Sequence, residues 1–371
     1  MKNVVREVGQ RFMVGFDGHA ASAEIRKLIR DFGLGNVILF ARNVDTPEQV
    51  ADLVRELQAI ARDAGHDMPL LVAIDQEGGK VQRLRAPWTV WPPIKAVGEL
   101  GSEEAARRMG AALAAELSPL GITLDFAPVV DVDTNPNNPI IGGLGRSFSS
   151  DPEKVAKLAA AMIDGLQKGR VAACAKHFPG HGDVDVDSHL DLPFSDVSRR
   201  RLQDVELRPF KRAAEVGVAT IMSAHVVYRD LDDQYPATLS PTIIRDVLRG
   251  ELKFDGVVVG DDLEMKAVAA KWPYGEAAAL SAEAGCDLIL VCKEVDAQVA
   301  AIEGLIRAVE SERLKTTERD DSARRLRRLK EKYVLPYSEP DPKRARQIAG
   351  AGEHQALAHE IAGAGGIQVT A

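Results

Sequence analysis

The chain has 371 residues, 45% of them hydrophobic, and a formal net charge of −8. That length allows one large barrel or two ordinary domains, and the acidic balance argues against a nucleic-acid partner. The single basic run, "RRLRRLKEKY" at 324–333, interleaves arginines with leucines at helical spacing and reads as the solvated face of a late helix.

The first residues, "MKNVVREVGQRFMVGF", carry charges where a signal peptide would have an unbroken apolar stretch. No later segment reaches the length of a membrane span, so neither a membrane partner nor export is expected. Cys174, Cys286 and Cys292 are odd in number, and two of them sit in apolar strand-like runs. They read as buried thiols of a cytoplasmic protein.

In chain order, eight short apolar runs alternate with amphipathic stretches: "RFMVGF", "NVILF", "LLVAID", "ITLDFAPVV", "VAACAKHF", "ATIMSAHV", "GVVVGDD" and "LILVC". Most are nearly continuous and rich in β-branched residues, the pattern of parallel strands covered on both faces. Between the second and third, Thr46-Pro47-Glu48 predicts a helix start with threonine as cap and proline in the first turn. Eight such units predict an α/β fold of (β/α)₈ barrel type, with residues 1–335 as the barrel. From 336 to 371 the sequence turns proline-rich and then alanine-rich, which predicts a linker and a terminal helix, too short for a second core.

In such a barrel, reactive groups belong at the C-terminal ends of the strands. Five strands end that way: the third at Asp75 in "DQEGGK", the fourth in "DVDTNPNNP", the fifth at Lys176-His177, the sixth at His225 and the seventh at Asp261-Asp262. A turn or capping role is the common fate of one such aspartate, but it does not account for five coincident strand ends. His225 by itself reads as a satisfied buried histidine.

The densest stretch is "KHFPGHGDVDVDSH", Lys176 to His189. Asp183, Asp185 and Asp187 fall at positions 1, 3 and 5 of a calcium-type loop. Positions 6 and 12 hold Ser188 and Phe194 instead of the required glycine and glutamate. His177 and His181 have the spacing of a helical zinc pair, but Pro179 and Gly180 between them break such a helix. No metal is therefore expected, and no cofactor.

These motifs, with "DQEGGKVQRL", "PNNPIIGGLGRSF", "MSAHV" and "FDGVVVGDDLEM" in this order, resemble the β-N-acetylglucosaminidases of glycoside hydrolase family 3. The resemblance covers residues 1 to about 335. It implies retaining hydrolysis of terminal β-linked N-acetylglucosamine, in bacteria often in cell-wall recycling, with a carbohydrate as partner. It places the nucleophile on Asp261, the acid/base histidine on His189 with Asp187 as its partner, and sugar binding on Asp75, Arg83, Arg146, Lys176 and His177. The tail "HQALAHEIA" resembles the lead-in to a second domain of longer members, which this chain stops short of. Lys80 and Gly260 stand where the family usually has arginine and often serine. A phosphorylase or a β-glucosidase of the same family is the alternative.

The chemistry suits these groups. A retaining glycosidase needs a carboxylate nucleophile and a proton donor near the leaving oxygen. A histidine with an ordinary pKa of about 6.5 can fill the second role, and Asp187, two residues away, can meet it if the loop is extended or tightly turned. Asp262 is expected to anchor the loop by hydrogen bonds, and Asp183 and Asp185 to be solvated.

Overall fold

The computed structural model describes residues 2–135 and 137–367. Its centre is a closed barrel of eight parallel strands in sequence order. They are β1 (Phe12–Val14), β2 (Asn36–Leu39), β3 (Leu71–Ile74), β4 (Leu124–Asp125), β5 (Ala172–Phe178), β6 (Thr220–Ser223), β7 (Val257–Gly260) and β8 (Leu288–Val291). Every one of the eight apolar runs supplies one strand. β1 closes on β8 through Phe12 opposite Ile289 and Val14 opposite Val291.

Alternation along the strands divides two cores, as a period of two requires. Met13, Leu71, Ala73, Val257, Val259, Leu288 and Leu290 point into the barrel. Phe12, Val14, Val72, Ile74, Val258, Ile289 and Val291 point out to the surrounding helices. Those helices start as the sequence indicates: Thr46 Oγ1 accepts the Gln49 amide at 3.2 Å ahead of helix Pro47–Asp63. β4 is much shorter than its apolar run: its pairing with β3 ends at Asp125 opposite Ile74, while the chain stays beside β5 past Pro128, the Cys174 amide donating to the Ala127 carbonyl and the Val130 amide to the Lys176 carbonyl, each at 2.8 Å.

The basic run keeps its expected solvated face at Arg324, Arg327, Arg328 and Lys332, but Arg325 and Lys330 depart from it. The run lies in the helix Thr316–Tyr333, which crosses the N-terminal end of the barrel and plugs it with Leu326, Leu329 and Tyr333. Arg325 turns inward to the buried carboxylate of Asp287, at 3.0 Å. Lys330 is buried too, its ammonium donating to the Gly35 carbonyl at 2.8 Å and to Gln10 Oε1 at 3.1 Å, with no carboxylate beside it among the described residues. Burial pulls its pKa down to about 7. Between that value and 10.5 the unfolded chain holds a proton that the fold does not, so stability rises with pH across this window. Lys330→Met should therefore raise the melting temperature at pH 6, and its advantage over the wild type should narrow towards pH 10. An advantage independent of pH would show that charge burial is not its cause.

Beyond Leu335 the chain forms two helices, Pro342–Ile348 and Gly352–Ala364, where the sequence suggested one. Gly350, with φ of +63°, makes the break, in a region where glycine is the residue that fits without strain. The second helix is fastened to the barrel's outer layer by His354 Nδ1 against Glu116 Oε1 at 2.9 Å. None of the described helices is long and apolar enough to cross a membrane.

Candidate active site

A cavity of about 190 Å³ opens at the C-terminal end of the barrel and is lined by Asp75, Arg83, Arg146, Lys176, His177, His189 and Asp261. All the residues expected to act on the sugar therefore meet in one place, except Asp187, which touches it through His189. Glu77, His181, Ser188 and Asp262 complete the polar lining, and Phe40, Phe126, Met222 and Leu290 supply apolar wall.

One flank is an ion network. Lys176, at the end of β5, donates to Asp75 Oδ1 at 2.9 Å and contacts Glu77 Oε1 at 2.7 Å. Arg146 grips Glu77 with two bonds of 2.8 Å, and Arg83 reaches Asp75 at 3.2 Å. Burial would raise both carboxyl pKa values, but Lys176 and Arg83 hold Asp75 well below the carboxylate range, and Arg146 with Lys176 holds Glu77 down at about 2. Both acids thus stay ionised and can accept hydrogen bonds from sugar hydroxyls. Glu77 bulges from a short strand, Gln76–Gly78, between Gln76 opposite Gln82 and Gly78 opposite Val81, so paired backbone holds it on both sides. Arg146 is consequently an ion-pair residue as well as a wall of the cavity. Removing one partner of a buried pair leaves uncompensated charge. Glu77→Gln should cost ~3 kcal/mol in denaturant unfolding, on that scale, and raise KM. An unchanged unfolding midpoint would count against the buried network.

The floor rests on Asp131, fully buried in the loop after β4. Its carboxylate accepts the His177 Nδ1 hydrogen at 2.8 Å and the backbone amides of His177 and His181 at 3.1 and 2.7 Å. Burial opposes its charge, yet His177 and these donors keep its pKa below the ordinary value. With Nδ1 committed, His177 offers Nε2 to the cavity. Neither Glu77 nor Asp131 stood out in the sequence, although each lies in a strand-end motif. Two aspartates in "DVDTNPNNP" are equivalent until the fold shows which one turns inward.

Opposite stands Asp261, just past β7. Burial acts to raise its pKa, but the facing rings of His225 and His177 and the amide of Asp262, which donates to Oδ1 at 2.8 Å, hold it below the ordinary value. An ionised carboxylate facing a sugar-sized cavity can act as a nucleophile. Asp262 serves differently: its Oδ1 accepts the amides of Glu264 at 3.1 Å and Cys292 at 3.3 Å, and burial pushes its pKa up to about 7. It anchors the turn, as expected. His225 is buried and donates from Nε2 to the Asp262 carbonyl at 2.9 Å.

The loop that carries Asp187 and His189 lies above. His189 Nδ1 and the His189 amide both reach Asp187 Oδ1 at 2.8 Å, so the pair meets in a tight turn, not along an extended strand. The His189 side chain is 63% exposed. Asp183 is less solvated than the sequence suggested: Thr134 Oγ1 donates to it at 3.2 Å, and Arg201 lies at 3.4 Å. Asp185 does face solvent, where it accepts Asn135 at 2.6 Å.

The chain is similar to known proteins. The family model described as the glycosyl hydrolase family 3 N terminal domain matches residues 4–329. The Beta-hexosaminidase of Tolumonas auensis is 40% identical over 296 residues, 79% of this chain and 86% of its own. The glycoside hydrolase family 3 beta-N-acetylglucosaminidase of Paenibacillus sp. str. FPU-7 superposes with a TM-score of 0.90 at 41% identity, over 97% of this chain and 68% of its own. NagZ of Neisseria gonorrhoeae, solved in complex with N-trifluoroacetyl-D-glucosamine, superposes with a TM-score of 0.78 at 34% identity, over 95% and 97% of the two chains. A barrel with a carboxylate at the end of β7, an ion network at the ends of β3 and β5, and relatives of this identity and coverage place the chain in glycosyl hydrolase family 3 as a glycoside hydrolase.

Proposed function

We propose that the protein is a retaining exo-β-N-acetylglucosaminidase that cleaves terminal β-linked N-acetylglucosamine from peptidoglycan fragments or related oligosaccharides through a covalent intermediate on Asp261. The observation that carries this reading is the Asp187–His189 pair, held at 2.8 Å on a loop above the cavity that Asp261 faces. Asp261 attacks the anomeric carbon as the glycosidic bond to the aglycone breaks. His189 donates its proton to the leaving oxygen. The now neutral imidazole then takes a proton from water, whose oxygen attacks the same carbon and frees Asp261. Asp187 accepts the Nδ1 hydrogen, which fixes the tautomer and supports the imidazolium. Asp75, Glu77, Arg83, Lys176 and His177 hold the sugar hydroxyls.

The test is turnover of aryl β-N-acetylglucosaminide and aryl β-glucoside side by side, with and without phosphate. The reading expects strong preference for the first and free sugar as product in both buffers. A preference for glucoside would favour a β-glucosidase, and sugar 1-phosphate formed only in phosphate would identify a phosphorylase. Because Asp187, His189 and His177 are committed to one another, to Asp131 and to substrate, activity should also survive prolonged EDTA treatment. Loss on chelation that zinc alone restores would reassign these histidines to a metal.

A further inference from the structure

The loop from Val186 to Leu190 is exposed, with Val186 41% and Leu190 67% accessible, yet Ser188 at its centre is only 2% accessible. Its hydroxyl meets His181 Nε2 at 3.2 Å, and its carbonyl accepts the Ala267 amide at 3.2 Å. The other hydrogen bonds of Asp187 and His189 run within the loop, to one another and to the amides of Leu190 and Asp191. Among the described residues, the hydrogen bonds that tie 187–189 to the barrel are therefore both made by Ser188.

His181 is a fixed anchor. Its amide is held by Asp131 Oδ1 at 2.7 Å and its carbonyl accepts Asn138 Nδ2 at 2.8 Å. The ring is buried, packed edge-on to His177 with centroids 5.8 Å apart, and its Nδ1 has no partner among the described residues. Burial and the neighbouring His177 pull its pKa down to about 4, so the ring is neutral at working pH. A neutral ring has one N–H. Placing it on Nε2, donating to Ser188 Oγ, leaves only a lone pair unpartnered at Nδ1, whereas the other tautomer would bury an orphan donor at about 1–3 kcal/mol.

We propose that Ser188 and His181 are positioning residues that hold the acid/base histidine over the cavity: Asp131 fixes both His177 beneath the sugar and His181, and His181 passes that reference through the Ser188 hydroxyl to the turn carrying Asp187 and His189. One buried carboxylate then sets the sugar-binding floor and the proton donor in a common frame. The inference rests on His189 being the acid/base residue. A misplacement of about 1 Å in such a group can cost on the order of 10²-fold.

The experiment compares kcat and KM of wild type, Ser188→Ala, Ser188→Thr, His189→Ala and the Ser188→Ala/His189→Ala double variant on two substrates. One is a 2,4-dinitrophenyl β-N-acetylglucosaminide, which departs without protonation, and the other is a disaccharide, which does not. Ser188→Ala should lose about 10- to 100-fold in kcat on the disaccharide, within the cost of a displaced catalytic group, with KM and melting temperature nearly unchanged and a much smaller loss on the aryl substrate. Ser188→Thr keeps the hydroxyl and should recover most of the disaccharide rate. In the double variant the serine change should add nothing to the histidine change. Equal losses on both substrates, or losses that multiply in the double variant, would overturn the proposal. If His189→Ala shows the substrate split and Ser188→Ala does not, only the latch fails. If neither shows it, the acid/base reading fails and takes the latch with it.

Discussion

Asp261→Ala should lose turnover on every substrate, by a factor on the order of 10⁴ or more, the scale seen when a nucleophile that works as part of a unit is removed. The loss has two sources. The carboxylate that would bond to the anomeric carbon is gone, and so is the negative charge that stabilises developing positive charge on the sugar. The fold should survive, because Asp261 lies past the end of β7 and, among the described residues, its side chain's one hydrogen bond is from the adjacent Asp262 amide. Circular dichroism and the unfolding midpoint should match the wild type. Asp262→Ala should behave in the opposite sense: it removes the acceptor for the Glu264 and Cys292 amides, so stability falls at least as visibly as rate. A dead Asp262→Ala beside an active Asp261→Ala would exchange their roles.

His189→Ala has the second largest expected effect, and it should depend on the substrate. General-acid assistance contributes about 10²–10⁴-fold where the leaving group needs a proton, and little where it does not. Disaccharides should therefore lose most of that factor and dinitrophenyl glycosides only a small part of it. Asp187→Ala should follow the same pattern more weakly, because the imidazole remains and only its orientation by the 2.8 Å contact is lost. Steady-state kinetics on both substrates checks this, and equal losses would argue against proton donation.

The barrel was legible because burial on both faces forces continuous β-branched runs, and eight of them alternate with amphipathic helices. What the runs did not show was where pairing stops. "ITLDFAPVV" pairs with β3 only as far as Asp125, yet keeps its hydrogen bonds to β5 as far as Val130. The tail and the basic helix misled for a related reason: helical spacing reports that a face exists, not which neighbour covers it. Arg325 and Lys330 look solvated until Asp287 and Gly35 are brought against them from 38 and 295 residues away.

The site divides along the same line. Asp75, Lys176, His177 and Asp261 were marked by strand ends, and the Asp187–His189 contact by its spacing of two. Glu77 and Asp131 were not, because their importance comes from partners distant in sequence: Arg146 is 69 residues from Glu77, and His177 is 46 from Asp131. The ring of His181 was read only as a poor zinc ligand, and its contact with Ser188 depends on a turn that no spacing rule describes. The roles of nucleophile and acid came from the family resemblance; composition and periodicity pointed only to where reactive groups would gather.

The central claim is that Asp261 becomes covalently bonded to the sugar. Incubating the protein with a 5-fluoro N-acetylglucosaminyl donor bearing a good leaving group should trap that bond, since the fluorine destabilises the charged transition states and an activated leaving group still permits the first step. Denaturation, proteolysis and mass spectrometry should then find one sugar-mass increment on the peptide spanning Val257 to Lys266, with fragmentation placing it on Asp261. A label on Asp262 would contradict the assignment of the nucleophile, and rapid turnover of the same donor with inverted product and no labelled peptide would contradict the covalent mechanism itself.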